Sequence, residues 1–334
     1  MRLLEVAKHR LRSGWLLWTA ALIVFVGGGV VQAAQPLKIV TTTTIVQDFI
    51  RQVAGDRAEV WSLLRPGMDP HAHQAVPADL VALTQADGIF VHGAGLDAWA
   101  DRMVAGRKAP VFVVTEGIDA PHDTHAHDGH AHDDHAHDGH AHDGHTHDDH
   151  SHDGHSHGGD PHFWYDPNLV RHYIERIEAA LVALDPEGSS VYRANAAAYL
   201  EELGSLDRWI RARVNEIPVE RRKLVTNHDS FSYFARQYGF EVIGSVIPGF
   251  NPEAEPSARQ LAQLVRAVQE LGVAAIFTET TFNPRLAEAV ARDAGGGVRV
   301  VSLYTDSLSG SDGPASTYLD YMRFNVNSIV DALK

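Results

Sequence analysis

There is no cysteine in the 334 residues. Disulfides, Cys-ligated zinc, iron–sulfur clusters and thiol catalysis are excluded, and no thiol is present to carry the lipid of a lipoprotein. Positive charge is scarce, with 28 Lys and Arg against 43 Asp and Glu and a formal net charge of −15 with His neutral. That balance argues against a nucleic-acid partner. Beyond residue 33 no stretch is long and apolar enough to span a bilayer. No His-Glu-x-x-His run is present, so the helix signature of zinc proteases is missing. What remains is ordinary globular composition, 44% hydrophobic and 21% charged, long enough for two domains.

Residues 1–33 read as a secretory signal peptide. Arg2, Lys8, Arg10 and Arg12 form a basic start, Leu16 to Val31 is apolar, and Val31 and Ala33 are small residues at the −3 and −1 positions of a cleavage site. Such an exported protein is expected in a bacterial periplasm.

Strand-like runs alternate with helical patterns in two series of about four strands each. The first four are Leu37–Thr42, Glu59–Leu64, Gly88–His92 and Pro110–Thr115; the others are Lys223–Thr226, Phe240–Ile247, Ala274–Glu279 and Val298–Leu303. Helical patterns at Pro77–Gln85, Ala98–Ala105, Ser257–Leu271 and Pro284–Ala294 lie between them. Two βαβα series predict an α/β protein of two parallel-sheet lobes, 36–166 and 219–334. Residues 167–218 between them read as helical. Across Pro186–Pro218, Tyr192, Ala196, Tyr199, Leu203, Leu206, Ile210 and Val214 recur at spacings of three and four. A helix there is about 45 Å long and would act as a stiff strut between the lobes.

Of 22 His, 15 fall between His122 and His157. From His125 to Gly159 the chain repeats a His-x-His-Asp-Gly pentad, with no apolar residue larger than Ala and no Lys or Arg. The segment 122–159 cannot bury surface to offset ordering entropy and is expected to stay disordered. Its imidazoles (His125, His127, His130, His132, His135, His137, His140, His142, His145, His147, His150, His152, His155 and His157) form a flexible field of weak sites for zinc, copper or nickel.

Four residues outside the repeat are candidates for one ordered metal site. His71 follows the second strand, His162 precedes a helix, His228 follows the fifth strand and Asp306 the eighth. In open α/β sheets ligands bind beyond the carboxyl ends of strands. These four divide two to a lobe, so facing lobes could close three imidazoles and a carboxylate around one ion. Four protein ligands make a holding site rather than a hydrolytic one, and nitrogen-rich ligation disfavours Ca²⁺ and Mg²⁺. Asp-Pro-His occurs twice, at Asp69–His71 and Asp160–His162, where proline restricts the backbone that bears the ligand. His73 reads as a polar loop residue or a spare ligand. His92, at a strand end, is expected to hydrogen-bond in the cleft. Glu279, also at a strand end, either orients His228 or replaces Asp306. Trp61, Trp99, Phe163 and Trp164 read as core or cleft wall, and His172 as an outward-facing helix residue.

The stretches GMDPHAHQAVPADL, GAGLDAW, DPHFWYDP, YRANAAAYLEELGSLD, TNHDSFSYFARQYG, IFTETTFNP and VVSLYTDSLS together resemble the zinc- and manganese-specific solute-binding proteins of ABC importers, the cluster A-I or cluster 9 family. The resemblance covers most of the chain after residue 36. It implies two α/β lobes joined by a long rigid helix, a metal in the interlobe cleft, and His71, His162, His228 and Asp306 as its ligands. It also implies a non-enzymatic receptor that hands its ion to an ABC permease in the inner membrane. A periplasmic metallochaperone is a second candidate partner, and a monomer is expected. Many manganese members carry Glu where this chain has His228, and zinc members often carry a His-rich acidic loop between the first two ligands. Zn²⁺ is therefore favoured over Mn²⁺ as the transported ion, with the repeat as an auxiliary collector or sensor. A manganese receptor and a periplasmic zinc store are the alternatives. Ordinary imidazoles would lose the ion below pH about 6.5.

Overall fold

The computed structural model describes residues 35–118, 159–250 and 255–334. The expected signal peptide and the His-rich repeat up to residue 158 lie outside the described residues.

The first lobe runs β1 (Leu37–Thr41), α1 (Thr44–Ala54), β2 (Ala58–Ser62), α2 (Pro77–Gln85), β3 (Gly88–Val91), α3 (Asp101–Val104) and β4 (Val111–Val113). Its sheet is parallel throughout, in the order β2-β1-β3-β4. The second lobe follows α4 (Pro167–Leu184) and α5 (Ser189–Val214). It runs β5 (Lys223–Thr226), α6 (Ser232–Tyr238), β6 (Glu241–Ser245), α7 (Ala258–Glu270), β7 (Ala275–Glu279), α8 (Arg285–Asp293), β8 (Arg299–Leu303) and α9 (Tyr318–Leu333). The parallel order is β6-β5-β7-β8, the same arrangement again. The protein is thus an α/β fold of two parallel four-stranded sheets with a long linking helix. The central strands β3 and β7 are buried at every residue, as expected where helices cover both faces of a parallel sheet.

All seven positions picked out by helical spacing are the buried residues of α5. They pack against α4, against α1 of the first lobe and against α9 of the second. Truncating one of the larger ones, such as Leu203 or Ile210, would cost about 2–5 kcal/mol. The helix starts at Ser189 rather than Pro186 and is therefore nearer 39 Å long. Pro186–Gly188 form a single 3₁₀ turn whose Gly188 amide donates to the Asp185 carboxylate. Glycine is required there, because a Cβ would stand 2.3 Å from Arg57 and 2.7 Å from Tyr192.

Three expectations change. The helix over Ala98–Ala105 is a 3₁₀ turn, Ala98–Ala100, followed by the one-turn α3. The edge strands shorten to Val111–Val113 and Glu241–Ser245, where pairing on one side only ends the ladder early. Trp61 is 45% exposed on edge strand β2, neither core nor cleft wall, because an edge strand has an uncovered flank. Phe163 and Trp164 are buried as expected. No helix among the described residues is long and apolar enough to cross a membrane.

Candidate metal centre

Each lobe offers its strand ends to the same cleft. His71 lies in the loop from β2 to α2, His228 just beyond β5 and Asp306 just beyond β8. His162 precedes a 3₁₀ turn, Phe163–Tyr165, that leads into α4. The structure brings one ligand atom from each of the four to within 4.8 Å of all the others. His162, His228 and Asp306 are buried and His71 partly so. His228 Nε2 lies 3.1 Å from His162 Nε2, and the Asp306 oxygens lie 3.5 Å from His162 Nε2 and 3.8 Å from His228 Nε2.

The two Asp-Pro-His tripeptides work alike. The Asp69 carboxylate accepts the His71 amide at 2.8 Å, and the Asp160 carboxylate accepts the His162 amide at 2.9 Å. Each aspartate closes a small turn over its proline and fixes the backbone that carries the imidazole. Asp160 does more. The same oxygen lies 2.6 Å from His162 Nδ1, and its other oxygen accepts from Ser232. A carboxylate can only accept, so Nδ1 carries the proton and Nε2 keeps its lone pair for the cleft. Glu279 does the same for His228, accepting from Nδ1, while its second oxygen accepts from Thr305 at 2.9 Å. Glu279 therefore stands behind a candidate ligand, the orienting role of the two weighed from sequence. No carboxylate backs the ring of His71 among the described residues, and His71 lines a cavity of about 220 Å³ with Leu96, Pro161 and Phe250.

His71 Nε2 and Asp306 Oδ1 are buried without a hydrogen-bond partner. Stranding a buried acceptor costs about 1–3 kcal/mol, and a cation in the cleft would satisfy both. Protonation favours the same end. Burial, with the neighbouring His162 and His228, pulls the His71 pKa down to about 2. Burial holds His162 well below its ordinary value. Both keep lone pairs available. His228 differs: burial pushes its pKa down, but Glu279 and Asp306 more than reverse this and hold it at about 9. Burial raises Asp306 well above the usual carboxylate range and Asp160 to about 6.

The other candidates stand apart from the cluster. His92 is fully buried; its Nδ1 is 3.0 Å from the Gly93 carbonyl, so Nε2 accepts from the Tyr173 hydroxyl at 2.7 Å. The Asp97 carboxylate accepts the amides of His92 and Gly93 and the hydroxyl of Thr42, closing the loop after β3. His73 pairs with Asp79 at 3.0 Å and stands edge-on to Trp99, whose indole donates to the Pro70 carbonyl. Both His73 and Trp99 thus brace the loop that carries His71. His172 is tied to the Glu116 carbonyl at 2.7 Å. The fourteen imidazoles of the repeat lie outside the described residues. The Asp–amide turns and the Ser307 contacts described below escape sequence reasoning. The first had a signal, an acid two residues before each histidine; the second had none.

Comparison with known proteins places the whole described fold in one group. A family model described as zinc-uptake complex component A, periplasmic, matches residues 39–332. The chain is 32% identical over 306 residues to the manganese-binding lipoprotein MntA of Halalkalibacterium halodurans, covering 91% of each chain. It is 34% identical over 306 residues to the iron-binding protein YfeA of Yersinia pestis, covering 89% of this chain and 86% of that one. Among solved structures, the periplasmic zinc-binding protein TroA of Treponema pallidum superposes with a TM-score of 0.75 at 26% identity, over 89% of this chain and 99% of that one.

Proposed function

The chain belongs to the family of periplasmic zinc-uptake complex component A proteins, and from that premise we propose that it is a zinc receptor. As a solute-binding protein of an ABC importer it binds a divalent metal outside the cytoplasm, performs no chemistry on it and passes it to a membrane permease. His71, His162, His228 and Asp306 are the ligands in this reading.

One observation carries the choice of zinc: three imidazole nitrogens and a single carboxylate converge within 4.8 Å in a buried pocket. Nitrogen donors favour zinc over manganese, which binds more weakly along the divalent series and suits oxygen-rich shells. Four protein donors also match the tetrahedral preference of Zn²⁺. The His-rich repeat supports the same ion as an auxiliary collector, and a periplasmic metallochaperone is a second donor. The leader is removed after Ala33, and this sequence has no thiol to lipidate.

The names of the relatives favour a second reading, a manganese or iron receptor on the same ligands. Because zinc outranks manganese at almost any site of nitrogen and oxygen donors, the ion that cells accumulate separates the two. Cells lacking the chain should accumulate less zinc and unchanged manganese at equal supply, and a crystal grown with zinc should scatter anomalously at the zinc edge on the four named residues. Loss of manganese or iron accumulation with zinc unchanged would overturn the choice of ion.

A further inference from the structure

Metal ligands that come from two lobes need something to hold the lobes' loops in register. Beside Asp306 stands Ser307, buried and outside the ligand set. Its hydroxyl accepts the Gly67 amide at 2.9 Å and donates to the Leu308 carbonyl at 3.2 Å. Thr44 Oγ1, 3.3 Å away, completes the pattern: it accepts the Leu308 amide at 3.0 Å and, the Ser307 proton being used on the Leu308 carbonyl, donates its own to Ser307. Every donor and acceptor in the ring has a partner. Thr44 opens α1, and Gly67 lies in the loop that carries His71. Ser307 and Leu308 continue the loop that carries Asp306. Gly67 has φ +81°, a left-handed conformation that glycine adopts without strain, and this backbone presents its amide to Ser307.

We propose that Ser307 is a positioning residue that sets how long the ion stays bound. One hydroxyl joins a first-lobe ligand loop to a second-lobe ligand loop, so His71 and Asp306 keep their distance and leave the ion together. Without it, His71, whose ring has no carboxylate behind it among the described residues, moves independently, and the ion loses one ligand at a time. The bonds of Ser307 run to the Gly67 and Leu308 backbone and to Thr44, not to a ligand side chain, so it acts on loop register rather than on ligand basicity.

This inference rests on the four side chains holding an ion, which titration of the parent tests separately. Failure of the parent to take up metal defeats that reading. Failure of the experiment below, on a parent that binds, defeats this one alone. The dissociation rate of zinc is read by stopped-flow chelator competition in the full chain, for the parent, Ser307→Ala and Thr44→Val. Ser307→Ala should speed release by up to about tenfold, the worth of one hydrogen bond between the two loops. Thr44→Val, which leaves the Gly67–Ser307 bond, should speed it less. Each variant strands a backbone amide, that of Gly67 in Ser307→Ala and that of Leu308 in Thr44→Val, so both metal-free proteins should melt a few degrees lower, and Thr44→Val is the control for that loss. Hydrogen exchange of the Gly67 amide should slow on zinc addition in the parent and not in Ser307→Ala. Release within twofold of the parent in Ser307→Ala overturns the proposal. So does release from Thr44→Val as fast as from Ser307→Ala, because that marks a merely structural loss common to both variants.

Discussion

The two lobes share one strand order and use it differently. In the second lobe the switch between β5 and β7 lies at the candidate metal centre: His228 follows one strand and Glu279 ends the other, 51 residues apart in sequence and hydrogen-bonded in space. In the first lobe the equivalent switch, between β1 and β3, is closed by Thr42, His92 and Asp97 bonding one another. Its candidate ligands come from elsewhere, His71 beyond edge strand β2 and His162 beyond the sheet altogether. Topology supplies a crevice at the strand ends. The side chains placed there decide whether the crevice holds an ion or only a loop. Polar residues at the end of a strand are thus ambiguous between the two, as His92 and Glu279 illustrate.

Removing ligands should test this contrast most severely. His228→Ala should lower zinc affinity well beyond the roughly 10–100-fold that follows loss of a partner behind a ligand. It should also destabilise the metal-free protein by about 1–3 kcal/mol, because Glu279 is left buried and short of a donor. His71→Ala should abolish tight binding as well, yet leave the metal-free melting temperature nearly unchanged. Equal stability losses in the two would erase the distinction between a backed and an unbacked ligand.

Changing the backing carboxylates comes next. Glu279→Gln and Asp160→Asn should each weaken zinc by about 10–100-fold in competition titration. Glu279→Gln should have the smaller effect at neutral pH, because losing that charge also lowers the His228 pKa and relieves the competing proton. Affinity changes of less than about threefold in both would reduce these acids to structural polar groups.

Acidity sharpens the comparison further. A proton on His228 Nε2 points towards His162 Nε2 and occupies the lone pair the ion needs. Because the surroundings hold the His228 pKa at about 9, proton and metal compete throughout the neutral range. Zinc affinity should therefore fall about tenfold per pH unit below roughly pH 9, with about one proton released per ion at pH 7.5. His71 and His162, held low by burial, add nothing there. Loss confined to pH below about 6.5, as ordinary imidazoles would give, would show that Glu279 and Asp306 do not hold that proton. Isothermal titration in buffers of different ionisation enthalpy measures the count. The smallest effect on binding belongs to His92→Gln: affinity within about threefold of the parent, with a stability loss of about 1–3 kcal/mol from the broken Tyr173 bond.

Both sheets were legible in the chain because buried parallel strands make apolar runs that alternate with helical spacing, and α5 because seven apolar residues keep one phase from Tyr192 to Val214. The edges were not: Val111–Val113 and the one-turn α3 depend on neighbours that local pattern does not contain. The candidate cluster was visible through the repeated Asp-Pro-His and the strand-end positions. What supports it was hidden, since Glu279 finds His228 and Ser307 finds Gly67 across 51 and 240 residues. Proline was read as the device in the tripeptide, yet the aspartate before it makes the bonds. His73 and His92 had the same composition-level signal as the four candidates, and only their partners, Asp79 and Tyr173, set them apart.

The long helix α5, gripped by α1 on one side and α9 on the other, acts as a spine with little give. In a receptor built on such a spine, small shifts of the loops at the cleft, rather than wide swings of whole lobes, would be the way an ion enters and leaves.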